Sequence, residues 1–293
     1  MKPYICNDCP RNCGALRDEA GHGVCRMGMN PVIARAAPHY DEEPVISGTR
    51  GSGAIFFSGC ALKCRFCQNY PISHENFGRQ VGVEALRGLY DKLIDQGCHN
   101  INLVNPTHFA AAIDESLGGG LPVPVVWNTG GYEKVETLRR FEGRVQVYLP
   151  DLKYIDPETS RKYSAARDYF DFAGPALREM LRQTGPVELD GDGLIRRGTI
   201  VRHLILPGCA EESMHILDWI AENLPGAWIS LMAQYLPFGN VKGLDQLDRR
   251  LCQEEYDRVV DHLMDLGLED GFVQELSSSD EKYIPRFDCT GLE

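Results

Sequence analysis

Three cysteines in the run 60–67 have the spacing of ligands for an iron–sulfur cluster. Cys60, Cys64 and Cys67 form a CxxxCxxC pattern directly behind an apolar segment with the composition of a β-strand. Four cysteines ordinarily hold a 4Fe–4S cluster, so a site with three leaves one iron open to another ligand. An open coordination position allows chemistry, whereas a closed site is structural or carries electrons. The alternatives are a zinc knuckle, for which this spacing is poor, and three buried free thiols.

The residues around this triplet resemble a known signature. The run 53–69, GAIFFSGCALKCRFCQN, is similar to that of radical S-adenosylmethionine (SAM) enzymes, and more narrowly to that of glycyl-radical-enzyme activases such as pyruvate formate-lyase activase. Phe66 before the last cysteine fits that branch, as does the Gln-Asn pair after it. The weaker resemblance covers about residues 4–239. It implies a 4Fe–4S cluster, bound SAM, a 5′-deoxyadenosyl radical that abstracts hydrogen, and a reductant such as flavodoxin or ferredoxin.

A second group of cysteines lies close to the N-terminus. Its four thiols, enough to saturate one ion or one cluster, are Cys6, Cys9, Cys13 and Cys25. The first two have the spacing of a zinc knuckle, but three close ligands and a distant fourth are equally natural for a 4Fe–4S cluster. Either metal would stabilise a segment too short to bury its own core. The sequence therefore predicts a second metal site, 4Fe–4S or zinc, with four unmetallated thiols as the remaining alternative.

Apolar strand-like runs alternate with helical periodicity from about residue 52 onward, and this alternation predicts parallel βαβ units. The candidate strands are 53–58, 101–105, 123–127, 145–149, 199–206 and 227–232. Between them, apolar residues recur at the spacing of one buried helix face, as in Leu86, Leu89, Tyr90 and Leu93. Periodicity does not distinguish an open sheet from a barrel. The resemblance implies an α/β fold, a partial (β/α)6 TIM-like barrel with a Cys-rich N-terminal extension.

These patterns predict that the chain is divided into three parts. We expect a metal-binding extension over 1–50, whose last part, from about residue 30, is a connecting stretch. The barrel core would cover 51–240. A C-terminal helix and polar tail, 241–293, would pack on the barrel.

Polar residues follow the predicted strands where parallel α/β folds bind ligands, at the carboxyl ends of the strands. Asn105 and Thr107 follow the second strand, Asn128 the third, and Asp151 and Lys153 the fourth. We predict that these side chains contact the cofactor. An N-cap for Thr107, a plain turn at Asn128 and an exposed salt bridge for the last pair are the structural alternatives.

The resemblance assigns finer roles to these positions. The backbone around Phe66 would recognise the adenine edge of SAM. Asn105 and Thr107 occupy the place of a glycine-rich, often acidic segment that receives the SAM amino group, although no Gly-Gly-Glu stands here. Segments like that of Asn128 meet the SAM carboxylate or ribose. On the fifth strand only one of two adjacent residues can face the lumen, and we choose His203 over its neighbour as the SAM contact.

Composition limits the partners. The formal charge of −12 argues against non-specific binding to nucleic acid or to anionic membranes. Neither a signal-peptide pattern nor an apolar run of membrane-spanning length occurs, so a cytoplasmic location is expected.

The resemblance makes a radical SAM enzyme the expected function. Its substrate would be the backbone of a glycine in a partner glycyl-radical enzyme. Radical modification of a peptide or a small molecule is a second enzymatic hypothesis. A third hypothesis is a protein without catalytic activity that transfers electrons or carries metal.

Overall fold

The structure, a computed structural model, describes residues 2–18, 21–280 and 284–292. Within these ranges the strands are β1 Tyr4–Cys6, β2 Ala15–Arg17, β3 Val32–His39, β4 Ser52–Phe57, β5 Arg79–Gln80, β6 Ile101–Val104, β7 Val125–Thr129, β8 Val147–Pro150, β9 Glu188–Leu189, β10 Ile195–Leu204, β11 Trp228–Met232 and β12 Gly271–Val273. The α-helices are α1 Pro44–Ser47, α2 Tyr70–Ser73, α3 Val83–Asp95, α4 Ala110–Leu117, α5 Val135–Arg139, α6 Pro157–Ser164, α7 Tyr169–Thr184, α8 Ala210–Asn223 and α9 Gln253–Asp265. Three short 3₁₀ helices are Thr107–Phe109, Asp245–Asp248 and Leu276–Ser278.

One large sheet organises the chain. Its strand order is β12-β11-β10-β8-β7-β6-β4-β3-β5, and every neighbouring pair from β4 to β12 is parallel. All six predicted strands are present within a few residues of their expected bounds. The α/β class and the partial (β/α)6 TIM-like barrel are therefore confirmed. The parallel strand β12 extends the sheet beyond the six that the sequence predicts.

The predicted connecting stretch after residue 30 contains a strand of the main sheet. β3 pairs antiparallel with β4 along its length, with a register shift between Ile33 and Arg35. No strand pattern is apparent in the sequence here, because two pairs of adjacent residues, Ile33-Ala34 and Ala36-Ala37, are buried and polar and apolar residues do not alternate. The division into three parts at residues 50 and 240 stays a prediction, but the sheet begins before the first boundary.

Helices cover the outer face of the sheet as their sequence pattern predicts. In α3 the buried residues are Leu86, Leu89, Tyr90 and Leu93, which are the four predicted ones. They pack with Ile101 and Leu103 of β6 in one apolar cluster. Burying these side chains leaves the carboxyl ends of the strands as the place where polar residues can gather.

The N-terminal segment is fastened to the barrel by two arginines. β1 and β2 form a two-stranded antiparallel sheet. Arg17, which is 1% exposed, donates to the carbonyl oxygen of His108 at 3.1 Å. Arg11 donates from Nε to the carbonyl oxygen of Ala61 at 2.8 Å and from Nη1 to that of Ala165 at 2.6 Å. Among the described residues, none of the helices is both long and apolar enough to cross a membrane.

Candidate cofactor site

A cavity of about 240 Å³ lies at the carboxyl ends of the parallel strands. Nine of the ten side chains predicted for the cluster loop and the cofactor line this cavity together; they are Cys60, Cys64, Phe66, Cys67, Asn105, Thr107, Asn128, Asp151 and Lys153. They come from four different strand ends that are far apart in the sequence. The fold therefore brings the predicted residues to one place, whereas His203 is not among the lining residues.

The three cysteines of the loop after β4 sit at one side of this cavity. The backbone turns sharply there, because Gly59 and Lys63 have φ angles of 84° and 57°. Sulfur atoms of the loop already accept hydrogen bonds: the amide of Leu62 donates to Cys60 Sγ at 3.3 Å, and Ser164 Oγ donates to Cys64 Sγ at 3.0 Å. Such bonds stabilise thiolate ligands and tune the potential of a cluster.

The chemistry of these three thiols fits a 4Fe–4S cluster. Burial raises the pKa of Cys64 to about 12 and also raises that of Cys67. Both would be neutral thiols near pH 7 without a strong local positive charge, which a coordinating metal provides. In the described ranges, no three His, Cys, Asp or Glu side chains converge on one ion. A cubane does not require such convergence, because each cysteine binds a separate iron.

Asn105 and Thr107 are fixed by contacts beside the cysteine loop. Asn105 has a φ of 60° and donates from Nδ2 to the carbonyl oxygen of Gly59 at 2.6 Å, so it braces the loop before the first cysteine. The hydroxyl of Thr107 donates to the carboxylate of Glu133. Thr107 does not cap α4, whose N-cap is Phe109 without a side-chain hydrogen bond. The alternative of an N-cap at Thr107 is therefore wrong.

The opposite wall of the cavity carries a network of charged side chains. Lys153 Nζ lies 2.6 Å from Asp151 Oδ2, and Arg202 Nε lies 3.0 Å from Asp151 Oδ1. Arg202 also donates to Asn128 Oδ1 at 2.6 Å and lies 3.3 Å from Glu42 Oε2. Glu42 Oε1 in turn accepts from Asn128 Nδ2 at 3.1 Å. The alternative of an exposed salt bridge at Asp151 and Lys153 is therefore wrong, because the Asp151 side chain is only 15% exposed and pairs with two cations.

Opposing effects set the protonation of this network. Burial alone would raise the pKa of Asp151, but Lys153 and Arg202 outweigh it and hold that pKa below its ordinary value. Burial would likewise lower the pKa of Lys153, and Asp151 reverses this and raises it. Both groups are therefore charged near neutral pH.

The expectation that His203 faces the lumen is wrong. Its Nδ1 lies 2.7 Å from the carbonyl oxygen of Leu152 and its Nε2 lies 2.9 Å from Ser213 Oγ, on the side of the helices. Burial lowers the pKa of His203 to about 4, so it is a neutral residue of the core. Because neighbours on a strand point to opposite faces, the lumen receives Arg202 instead.

Sequence reasoning missed two further members of the charged network. Arg202 could have been chosen over its neighbour, because a buried Asp151 on the adjacent strand needs a permanent cation. Glu42 could not have been found, because a short acidic run in the expected connecting stretch does not show which of its members would reach the site. It reaches the wall because β3 joins the sheet and α1 follows directly.

The four N-terminal cysteines line one small cavity of their own. Cys6, Cys9, Cys13 and Cys25 surround it together with Arg11, Arg17 and Ala61. Nη2 of Arg17 donates to Cys25 Sγ at 3.1 Å, a contact suited to a thiolate. Ala61 lines this cavity and the larger one, so the two sets of cysteines are close neighbours. The arrangement leaves zinc and 4Fe–4S both open for this set.

Comparison with known proteins supports the fold. No family model matches the chain. It aligns with methylornithine synthase (PylB) at a TM-score of 0.50 and 17% identity, covering 73% of this chain and 62% of that one. Streptococcus suis SuiB bound to S-adenosylmethionine aligns at a TM-score of 0.49 and 11% identity over 74% of this chain. The chain spans about half of SuiB, 48% of that chain.

A relative by sequence is the uncharacterized protein MJ0674 of Methanocaldococcus jannaschii. It is 30% identical over 268 residues, which cover 87% of this chain and 73% of the relative. The alignment to PylB shows that the chain shares the fold of that enzyme. By its identity and coverage, the chain belongs to the family of MJ0674.

Proposed function

We propose that this protein is a radical SAM enzyme that cleaves SAM reductively at a 4Fe–4S cluster. One observation carries the proposal. The CxxxCxxC cysteines and the polar residues at four strand ends line a single cavity, although they are spread over residues 60–202. A protein that only transfers electrons has no need for a charged cavity beside its cluster.

Different residues of the cavity would hold the 4Fe–4S cluster and SAM. Cys60, Cys64 and Cys67 would bind three irons and leave the fourth for SAM. Asp151, Lys153 and the amide of Asn128 supply paired charges and hydrogen bonds for the methionine end of the molecule. The chemistry that a reduced cluster would supply here is the one electron needed to break the S–C5′ bond of SAM, which would give methionine and a 5′-deoxyadenosyl radical.

The protein contributes rigidity and exclusion of water to this reaction. Phe66 is 5% exposed and packs against Tyr235 with ring centroids 6.1 Å apart, so it closes one wall. Asn105 braces the cysteine loop through the Gly59 carbonyl oxygen. Fixed groups around a reactive radical keep it next to its target and prevent side reactions.

The N-terminal cysteines provide a second metal site in this proposal. A second 4Fe–4S cluster there would pass electrons from a flavodoxin or ferredoxin to the first, since Ala61 lines both cavities and the two sets of cysteines lie close together. Zinc would instead fix the segment without a redox role. Metal analysis of wild type and Cys9→Ala decides between them: loss of iron and sulfide supports the relay, and loss of zinc excludes it.

The substrate remains a choice between two classes. The Phe66 motif favours an activase, which would abstract hydrogen from a glycine of a partner enzyme. A second cavity next to the first favours radical modification of a peptide or a small molecule, because it offers a place for a side chain or a small ligand. Oxygen-dependent cleavage of a co-expressed glycyl-radical enzyme at a glycine, read by mass spectrometry, would support the activase; absence of cleavage would exclude it for that partner.

The central experiment is an assay for SAM cleavage under anaerobic conditions. Cluster-loaded protein, reduced with dithionite, should convert SAM to 5′-deoxyadenosine and methionine. SAM should also change the electron paramagnetic resonance spectrum of the reduced cluster. A triple Cys→Ala variant at positions 60, 64 and 67 is the control that should do neither. A spectrum indifferent to SAM, with no 5′-deoxyadenosine formed, would contradict the enzyme and leave electron transfer.

A further inference from the structure

A second cavity of about 210 Å³ opens beside the one proposed for SAM. The two share part of their walls, namely Gln68, Asn69, Val104, Asn128, Arg202, Met232 and Gln234. A ligand in the second cavity would therefore lie next to the cavity proposed for SAM. Apart from Phe56 of β4, its remaining lining comes from outside the signature: from the end of β3 and the segment after it, from β11 and β12, and from Gln274 and Pro285.

Negative charge dominates this second cavity. Asp41, Glu42 and Glu43 follow one another along its wall, and Arg202 is the cation that faces them in the described lining. That cation is already engaged, because it pairs with Asp151 at 3.0 Å and with Glu42 at 3.3 Å. His39 also lines the cavity, and burial lowers its pKa, so it adds no positive charge near neutral pH.

Glu43 is the group that this arrangement leaves without a matching charge. It is only 8% exposed, and its Oε2 is buried without a hydrogen-bond partner among the described residues. Burial raises the pKa of Glu43, and the neighbouring Glu42 adds to this effect while Arg202 opposes it. A buried carboxylate oxygen without a donor is costly, and a bound cation with N–H groups would satisfy it.

We propose that the second cavity binds an ammonium or guanidinium group of the substrate, with Glu43 as its direct ion-pair partner. Glu42 adds negative potential, while its own ion pair with Arg202 fixes the border with the SAM cavity. A Lys or Arg of a peptide and a free small amine both carry such a group, and the test below distinguishes them. This proposal rests on the radical SAM function, since it names the chemistry of the substrate for that reaction.

The test measures binding and does not depend on turnover. Cluster-loaded protein with SAM is titrated by anaerobic calorimetry with four probes: butylamine, butan-1-ol, Nα-acetyl-lysine methylamide and Nα-acetyl-norleucine methylamide. Each pair differs in its positive charge and shares the same chain. We expect at least one amine to bind about tenfold more tightly than its neutral counterpart, as one charge-assisted contact provides.

Variants assign the preference to Glu43. Glu43→Gln should reduce the ratio of amine affinity to neutral-probe affinity to less than about threefold. Glu43→Asp keeps the charge and should retain more of that ratio. Glu222→Gln, on an exposed position of α8, is the matched control and should behave as wild type. Melting temperatures and SAM affinity check that each variant is folded. If Glu43→Gln does not fold, the affinities of Glu43→Asp and of wild type for the paired amine and neutral probes test the proposal.

The outcomes separate this proposal from the one on which it rests. Preference for the lysine probe alone assigns a peptide substrate, and preference for butylamine alone assigns a free amine; both support the cation site. Neutral probes that bind as tightly as amines, or an undiminished preference in Glu43→Gln, would overturn it. 5′-Deoxyadenosine formation is assayed in parallel: its presence with no amine preference refutes only the cation site, and its absence with a clear preference refutes only the radical chemistry.

Discussion

Nε of Arg202 lies 3.0 Å from Oδ1 of Asp151, across two parallel strands that meet at the mouth of the cavity. The same guanidinium reaches Glu42, which lies before the first barrel strand. Arg202 is therefore the cation shared by two largely buried carboxylates, one before the predicted core and one near its middle. This contact joins the early part of the chain to the cofactor wall. Together with Lys153 it holds the pKa of Asp151 below its ordinary value, whereas burial outweighs Arg202 at Glu42 and raises the pKa of that residue.

Replacing Arg202 by Met should destabilise the protein by about 3–5 kcal/mol, because it leaves two buried carboxylates without their shared cation. It should also weaken SAM binding at least tenfold, since the orientation of Asn128 depends on the same guanidinium. Urea unfolding and SAM titration measure the two effects. Arg202→Lys should be intermediate, because an ammonium retains the charge but cannot contact three acceptors in one plane.

His203 is the matched control for that experiment, because it is the adjacent residue on the same strand. His203→Gln should lower the free energy of unfolding, since the ring bridges Leu152 and Ser213. Its SAM affinity should remain within about twofold of wild type, as expected for a residue outside the cavity. A SAM affinity that fell as strongly in His203→Gln as in Arg202→Met would contradict the assignment of faces.

The contrast between Arg202 and His203 shows which features of the site can be predicted from the sequence and which cannot. Strand positions and the cysteine loop follow from local patterns, so they were predictable. The face that a strand turns to the lumen depends on its pairing register, which no local pattern of 199–206 encodes. The role of Glu42 is harder still to predict. The strand β3, which brings Glu42 to the site, shows no alternation of polar and apolar residues, and the contact between Glu42 and Arg202 spans 160 positions of the chain. Charge pairs between residues far apart in the chain thus cannot be predicted from local sequence patterns.

Glu133 should make the stability of the protein depend on pH. It is fully buried, and burial raises its pKa from the ordinary 4.5 to about 7, against hydrogen bonds from Thr107, Thr129 and Trp127. The folded state then holds a proton that the unfolded state releases above pH 4.5, so the stabilisation present at low pH is lost as pH rises through about 7. A gap of this size corresponds to about 3 kcal/mol.

Glu133→Gln tests this directly, because the amide keeps an acceptor oxygen and cannot ionise. Between pH 5 and pH 8 the free energy of unfolding of wild type should fall relative to that of the variant, by up to about 3 kcal/mol. Glu115→Gln, at an exposed position of α4, should leave the pH dependence of wild type unchanged. Parallel pH profiles for wild type and Glu133→Gln would show that Glu133 titrates normally.

Ser164 should tune the potential of the proposed cluster. Its hydroxyl lies 3.0 Å from Cys64 Sγ, and a hydrogen bond to a ligand sulfur favours the reduced, more negative state of a cluster. Ser164→Ala should therefore shift the reduction potential to a more negative value without changing the iron content. Ser160→Ala, one turn earlier in α6, is the control, because its hydroxyl donates to a backbone carbonyl at 3.0 Å. Equal potentials for Ser164→Ala and wild type would show that this bond does not act on the cluster.

Arg11 should control how firmly the two cysteine sets are held together. Its guanidinium donates to the carbonyl oxygens of Ala61 and Ala165, so one side chain from the N-terminal segment clamps the cluster loop and the end of α6. Arg11→Met should cost about 1–3 kcal/mol, since charged hydrogen bonds to partly buried carbonyls are lost.

The functional consequence should be a less protected cluster. Iron release to a chelator should be faster in Arg11→Met than in wild type, because the loop before Cys64 would open more often. Arg161→Met serves as the control, because that arginine is 62% exposed and pairs only with Glu158 among the contacts described. Equal release rates in the two variants would mean that the N-terminal segment does not shield the cluster, and its cysteines would then need a role other than support of the barrel site.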